Sequence, residues 1–228
     1  MSWIVDFYRT AMGKKAVMAV TGIALFGFVL GHLVGNLKLY MGPEHLDHYA
    51  EALRELGAPF FARGQVLWIV RLGLLAALAV HVHAAVTLTL LNRRARPKSY
   101  VKTTPQASTY ASRTMIWGGA VIALFVVYHL LHFTTGDVHP DFEPGAVYHN
   151  VVTGFLNPWV SAFYVAAQIA LGFHLYHGLW SLFQTLGWNG PRVNVFRRRM
   201  AAVLAVVICA GNVSFPIAVL TGAVRLGG

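Results

Sequence analysis

The sequence predicts an all-α integral membrane protein with five transmembrane helices. Two observations carry this. Of 228 residues, 57% are apolar and only 11% charged, whereas a water-soluble domain is nearer a quarter charged, so most of this surface must face lipid. The apolar residues also gather into five stretches of about 20 residues or more, the length that crosses a hydrocarbon core.

Span I covers roughly 16–39. Lys14 and Lys15 precede it as they would a secretory signal, but the run is too long and ends at no small-x-small cleavage pattern, so it is expected to remain as an anchor. Between Gly42-Pro43 and span II, Glu44 to Leu56 reads as a short amphipathic surface helix. Its Leu46, Tyr49, Ala50 and Leu53 recur at helical spacing among His45, Asp47, His48, Glu51, Arg54 and Glu55. Spans II, III, IV and V cover roughly 64–91, 114–135, 158–186 and 200–222, with Arg96-Pro97, His139-Pro140, Asn157-Pro158 and Gly190-Pro191 punctuating the links. Neither a fixed-period repeat nor a low-complexity stretch interrupts the chain, so residues 1–228 are expected to form one domain.

Charge sets the expected direction. The N-terminus and the II/III and IV/V links hold Arg9, Lys14, Lys15, Arg93, Arg94, Arg96, Lys98, Lys102, Arg113, Arg192, Arg197, Arg198 and Arg199, thirteen basic residues against Asp6 alone. The other side has five basic residues and seven acids. By the positive-inside rule the N-terminus is cytoplasmic and the C-terminus outside. The net charge of +10 is then mainly topology, with a second use as a docking face for a partner or anionic lipid, and it gives no reason to expect nucleic acid.

Function should be sought among the eleven histidines, because imidazole is costly in hydrocarbon unless something binds it. Walking each span at 1.5 Å per residue puts His32 on span I and His129 on span III at about 10 and 9 Å from the outer end. His81 on span II and His174 on span IV lie at about 25 and 24 Å. Four helices thus supply two level pairs, roughly 15 Å apart along the membrane normal. Two imidazoles from facing helices at one depth suit a bis-histidine haem, whose macrocycle fills a four-helix bundle core of spans I–IV and whose six-coordinate iron favours electron transfer. The plainer reading, polar packing between helices, explains one such histidine well and four at matched depths poorly.

Small residues near these histidines admit either a macrocycle edge or a neighbouring helix: Gly27, Gly31 and Gly35 beside His32, Gly172 and Gly178 about His174, and Ala84 and Ala85 after His81. His83 is roughly 200° around the helix from His81, so only one of the two faces a given iron, and depth favours His81. His132 and His177 follow His129 and His174 by one turn, placed for haem propionates or a quinone oxygen, or for polar packing. Cys209 is the one cysteine; it rules out thiolate zinc, cysteine-ligated iron–sulfur clusters and c-type haem within this chain.

Across nearly its whole length the sequence resembles the five-helix, di-haem cytochrome b membrane anchor of succinate dehydrogenase and fumarate reductase complexes. The resemblance is carried by Gly31-His32-Leu33, by the run from His81 to Pro97, by Tyr128-His129 with His132-Phe133, and by Phe173-His174 through Ser181 with Gln184-Thr185-Leu186-Gly187. It implies His32 with His129 as axial ligands of the distal haem and His81 with His174 of the proximal one. Counting back from Asn92-Arg93 favours His81, although His83 is extra to the family pattern. It further implies an iron–sulfur subunit and a flavoprotein subunit on the cytoplasmic face of a bacterial or archaeal inner membrane, two non-covalent b haems, and quinone, in this class menaquinone, as the membrane substrate.

Quinone needs donors for its carbonyl oxygens beside a haem. Outer candidates are Glu44, His45 and His48, with Arg71, an intramembrane charge, as propionate partner; inner candidates are His177, Trp180 and Gln184. Three other readings compete: a di-iron desaturase, which would need its H-x-x-H motifs at one level; a haem b subunit of a hydrogenase or formate dehydrogenase; and a non-haem, proton-coupled transporter.

Overall fold

The computed structural model describes residues 2–95, 110–188 and 190–227. The break at Arg96-Pro97, the basic residues Arg96, Lys98 and Lys102, and the side chain of Arg113 lie outside the described residues. Among the described residues the regular structure is helical: α1 (Ser2–Arg9), α2 (Ala11–Asn36), α3 (Pro43–Arg54), α4 (Gln65–Arg94), α5 (Tyr110–Leu130), α6 (Val147–Phe155), α7 (Pro158–Thr185) and α8 (Pro191–Leu220). Five segments among the described residues are long and apolar enough to cross a membrane: Ala11–Met41, Gln65–Arg94, Met115–Thr135, Pro158–Thr185 and Pro191–Leu220.

Local chemistry marks the helix ends. Extended Thr10 accepts a hydrogen bond from Gly13 N at 2.9 Å, which caps α2. Past Asn36 the chain tightens into a 3₁₀ turn, Leu37–Met41, and stops at Gly42, whose φ of 94° favours glycine. Asn157 caps α7 through Trp159 N, with Pro158 in the first turn. α5 ends in a π turn, Leu131–Thr135, closed by left-handed Gly136.

The fifth span starts at Pro191 and not near Met200 as hydropathy suggests. Hydropathy registers where a helix enters hydrocarbon, while Pro191 registers where it begins, and the basic turns between stand ahead of the apolar run. Arg197 on these turns is buried, with its guanidinium 5.7 Å from the centre of the Trp180 ring. Two short helices, α1 and α6, have no counterpart in the periodicity analysis, because eight or nine residues hold barely two helical turns.

In the bundle α7 packs on both α5 and α8, α2 packs on α4, and α2 also touches α7 and α8. Phe125, Tyr164, Leu175, Ile208 and Phe215 are buried in the core, while Val20, Trp117, Leu124, Trp159 and Val206 stay exposed on the outer surface. Small residues allow the closest approaches: a Cβ on Gly172 would stand 3.2 Å from Cys209 Cβ, and one on Gly211 2.8 Å from Leu33 Cδ1. Gly172 therefore serves helix packing, as does Gly35, where a Cβ would meet the Tyr49 ring at 2.7 Å.

α3, α6 and the C-terminal residues gather at the end of the bundle away from α1. Asp47 on α3 accepts from Tyr148 N at 2.8 Å, so a distant carboxylate caps α6, and Tyr148 donates its hydroxyl to Arg225 O at 3.1 Å. Leu46 is the buried contact of α3, as its amphipathic pattern requires. Glu51, on the same helix, accepts from Arg63 Nε at 2.9 Å and from Arg54 Nη1 at 2.9 Å. These bonds, Arg63's foremost, hold its carboxyl below the usual value for Glu. A carboxyl depressed in the folded state adds stability that is complete above its unfolded value and is lost as pH falls through the lowered one. Hydrogen exchange of residues 55–64 is therefore expected to rise only below about pH 4.3, the ordinary Glu value, and Glu51→Gln should raise it already at neutral pH. Identical exchange in the two proteins at pH 7 would refute the clamp.

Candidate functional site

α2 and α5 bring His32 and His129 together, with ring centres 5.9 Å apart and planes at 85°. α4 and α7 bring His81 and His174 together, with ring centres 6.4 Å apart and planes at 61°. Each histidine of a pair comes from a different helix, and the pairs occupy different levels of the bundle. Phe28 stacks on His32 at 5.3 Å, and Phe125 lies 5.7 Å from His129, so both rings of the first pair are backed by aromatic surface.

The ring spacing can be compared with a bis-imidazole metal. An ion taking two imidazole nitrogens at about 2 Å each, with the ring centres about 1 Å further back, separates those centres by about 6 Å. Both pairs have about this spacing, which rings in edge contact also adopt, so these residues could hold a haem iron.

Outer hydrogen bonds orient a ligating imidazole by holding its other ring nitrogen. Thr21 Oγ1 lies 3.0 Å from His81 Nδ1 and donates its own proton to Val17 O at 2.7 Å. With that proton committed, Thr21 accepts N–H from His81 and leaves Nε2 bare. Tyr164 OH lies 3.4 Å from His129 Nδ1 and 3.0 Å from His132 Nδ1, linking the two histidines of the H-x-x-H motif. His132, fully buried in the π turn, stacks on His139 at 4.8 Å. His139 is held in turn by Asn150 O at 2.9 Å and by Asp141 N at 3.1 Å.

His83 faces elsewhere. Its Nδ1 lies 2.6 Å from Tyr8 OH and its ring stacks on Tyr8, so it joins α4 to α1 while His81 faces His174. His177 and Trp180 meet edge to face at 5.7 Å, and the guanidinium of Arg198 lies over Trp180 at 4.9 Å. His177 Nδ1 and Trp180 Nε1 are buried without a hydrogen-bond partner among the described residues. Gln184 is exposed at the end of α7. Arg71 sits over the Trp68 ring at 5.1 Å on the opposite end of the bundle, and Glu44, His45 and His48 are exposed on α3. A Cβ on Gly27, Gly31 or Gly178 would meet no atom within 4 Å.

Residues 89–213 match the family model described as succinate dehydrogenase/fumarate reductase transmembrane subunit. The chain belongs to this family. It is accordingly a multi-pass membrane subunit of a succinate dehydrogenase or fumarate reductase complex. No curated protein and no solved structure matches the chain. The matched stretch of this transmembrane subunit includes His129, His132, His174 and His177, whereas His32 and His81 precede it. Those two are tied to the matched half by the ring pairing itself. The single cysteine gives this chain no set of thiolates to hold an iron–sulfur cluster.

Thr21, Tyr8, Tyr164 and His139 are absent from the residues that sequence reasoning singled out. For Tyr164 a signal existed: it lies about 15 Å along α7 from His174, which is the level of the other pair. Thr21 carried the same signal, about 16 Å along α2 from His32 and so level with the other pair, whereas Tyr8 and His139 belong to a helix end and a link, where depth along a span gives no guide.

Proposed function

We propose that this subunit passes electrons between the iron–sulfur subunit of its complex and menaquinone through two b haems. His32 with His129 would hold one haem and His81 with His174 the other. The observation that supports this best is the pair of ring spacings, 5.9 and 6.4 Å, each made between helices far apart in sequence. Haem with two imidazole ligands supplies one-electron transfer and leaves no iron position for oxygen.

The chain's own residues do the rest. Thr21 holds the His81 ring through Nδ1, and Phe28 and Phe125 keep the His32 and His129 surroundings apolar. In this reading the N-terminus is cytoplasmic and the C-terminus outside, and the basic face docks the iron–sulfur and flavoprotein subunits in a bacterial or archaeal inner membrane. Arg71, near the outer pair, serves a propionate. The nitrogens of His177 and Trp180, buried and without a hydrogen-bond partner among the described residues, support the inner of the two candidate quinone positions, where Gln184 lies at the helix end. Exposed Glu44, His45 and His48 then belong to the outer surface.

A reduced-minus-oxidised spectrum of the purified complex, with a pyridine haemochrome count per copy of this chain, tests the reading. Two b haems per chain are expected. A complex that contains stoichiometric amounts of this chain and no haem would overturn it.

A further inference from the structure

We infer that Tyr164 is a positioning residue that sets the tautomer of His129, and that His132 serves to pin the Tyr164 proton. The inference rests on the proposed role of His129 as a haem ligand and adds to it a device that selects which of its nitrogens is free.

Tyr164 is 5% exposed and its oxygen lies between two imidazole nitrogens, at 3.0 Å from His132 Nδ1 and 3.4 Å from His129 Nδ1. A phenol has one proton, so it donates to one histidine and accepts from the other. Two arrangements satisfy this. In one, Tyr164 donates to His132, His129 donates Nδ1–H to Tyr164, and His129 Nε2 is left bare. In the other, Tyr164 donates to His129, whose proton must then sit on Nε2, the nitrogen that would have to bind iron. The shorter distance to His132 favours the first arrangement.

His132 is built as a fixed acceptor. Its ring is fully buried, lies 4.1 Å from the Phe133 ring centre and 5.4 Å from that of Tyr128, and stacks on His139. His139 cannot turn without losing main-chain bonds at both nitrogens, to Asn150 O and from Asp141 N. With Nδ1 accepting from Tyr164, neutral His132 carries its proton on Nε2, and that buried atom has no partner among the described residues. An orphaned buried N–H is costly, which fits a residue retained for its other nitrogen. The inner pair reaches the same end more simply: Thr21 commits its proton to Val17 O and can only accept from His81. A hydroxyl whose own proton is spoken for therefore stands behind one histidine of each pair.

Tyr164→Phe and two replacements of His132 test this in the purified complex, read by haem retention, low-spin EPR and redox titration. Tyr164→Phe should weaken retention of the outer haem about 10- to 100-fold, the usual effect of losing an outer hydrogen bond to a ligand. It should also shift that haem's EPR signal and raise its midpoint potential, because His129 loses the acceptor that makes it more basic. The inner haem should be unchanged and reports that the bundle is folded. His132→Leu should copy Tyr164→Phe, since the freed phenol proton can turn to His129, whereas His132→Asn, which keeps an acceptor near the Nδ1 position, should resemble the parent. If Tyr164→Phe loses both haems, the 132 pair decides: Leu altered with Asn normal supports the inference, and both alike overturn it. A parent complex with two haems whose Tyr164→Phe variant keeps both signals, potentials and retention overturns this inference alone. A parent without haem overturns the proposed function as well.

Discussion

His129→Ala is expected to remove one haem from the complex and leave the other in place. Its ring meets that of His32 at 5.9 Å, while the His81 and His174 rings meet at 6.4 Å on a different pair of helices. In the proposed reading, loss of one imidazole would leave the iron with a single protein ligand, and the aromatic side chains around the site offer it no second one. His32→Ala should therefore repeat the result, and His81→Ala or His174→Ala should remove the other haem, each halving the haemochrome count per chain. His83→Ala is the control: its ring is engaged with Tyr8 at 2.6 Å and faces away from His174, so both haems should remain. Redox titration distinguishes which haem is lost, because the His32 and His129 variants should lack one and the same transition. Retention of both haems in all four alanine variants would refute the ligand assignment, and loss in His83→Ala would move it from 81 to 83.

The parts of this molecule legible in its sequence are those governed by one-dimensional rules. Span length and apolarity locate α2, α4, α5, α7 and α8, because crossing a bilayer imposes a minimum run that little else in a short chain imitates. The level pairing of His32 with His129 and His81 with His174 follows from rise per residue, a constant of the helix. Rotation about the helix is less readable. His81 and His83 differ by two positions, and tertiary packing shows which way each points: His81 toward Thr21 and His174, His83 toward Tyr8. α1 itself escapes because a helix of eight residues has too little period to recognise. The glycines illustrate the same limit: Gly35 and Gly172 admit Tyr49 and Cys209, while Gly27, Gly31 and Gly178 have no such neighbour, although all five look alike as small residues near a histidine. The π turn at Leu131–Thr135 packs on α6, and no local residue preference announces it.

Gly154→Ala should be among the most damaging single-methyl changes in the far half of the bundle. A Cβ there would stand 2.8 Å from His132 Cε1, 2.9 Å from Phe133 Cε1 and 3.0 Å from His139 Nε2. All three are ring atoms in a stacked cluster, so no flexible chain end can swing aside. Retreat of α6 is opposed at its start by the Asp47 cap and by the two bonds between Asn150 and the Glu143 backbone, each 2.8 Å. The strain must then be taken up by the rings, His132 first, and overpacking of this kind costs about 1–3 kcal/mol. Because His132 holds Tyr164 at 3.0 Å, its displacement should also disturb the His129 side of the bundle and leave the His81–His174 side as it was. Thermal unfolding of the detergent-solubilised complex should show a lowered midpoint, accompanied by an altered low-spin signal from the haem assigned to His32 and His129. An alanine variant as stable as the parent, with both signals intact, would mean that α6 moves freely enough to absorb a methyl group and that the His132–His139 stack is not the rigid support drawn from it.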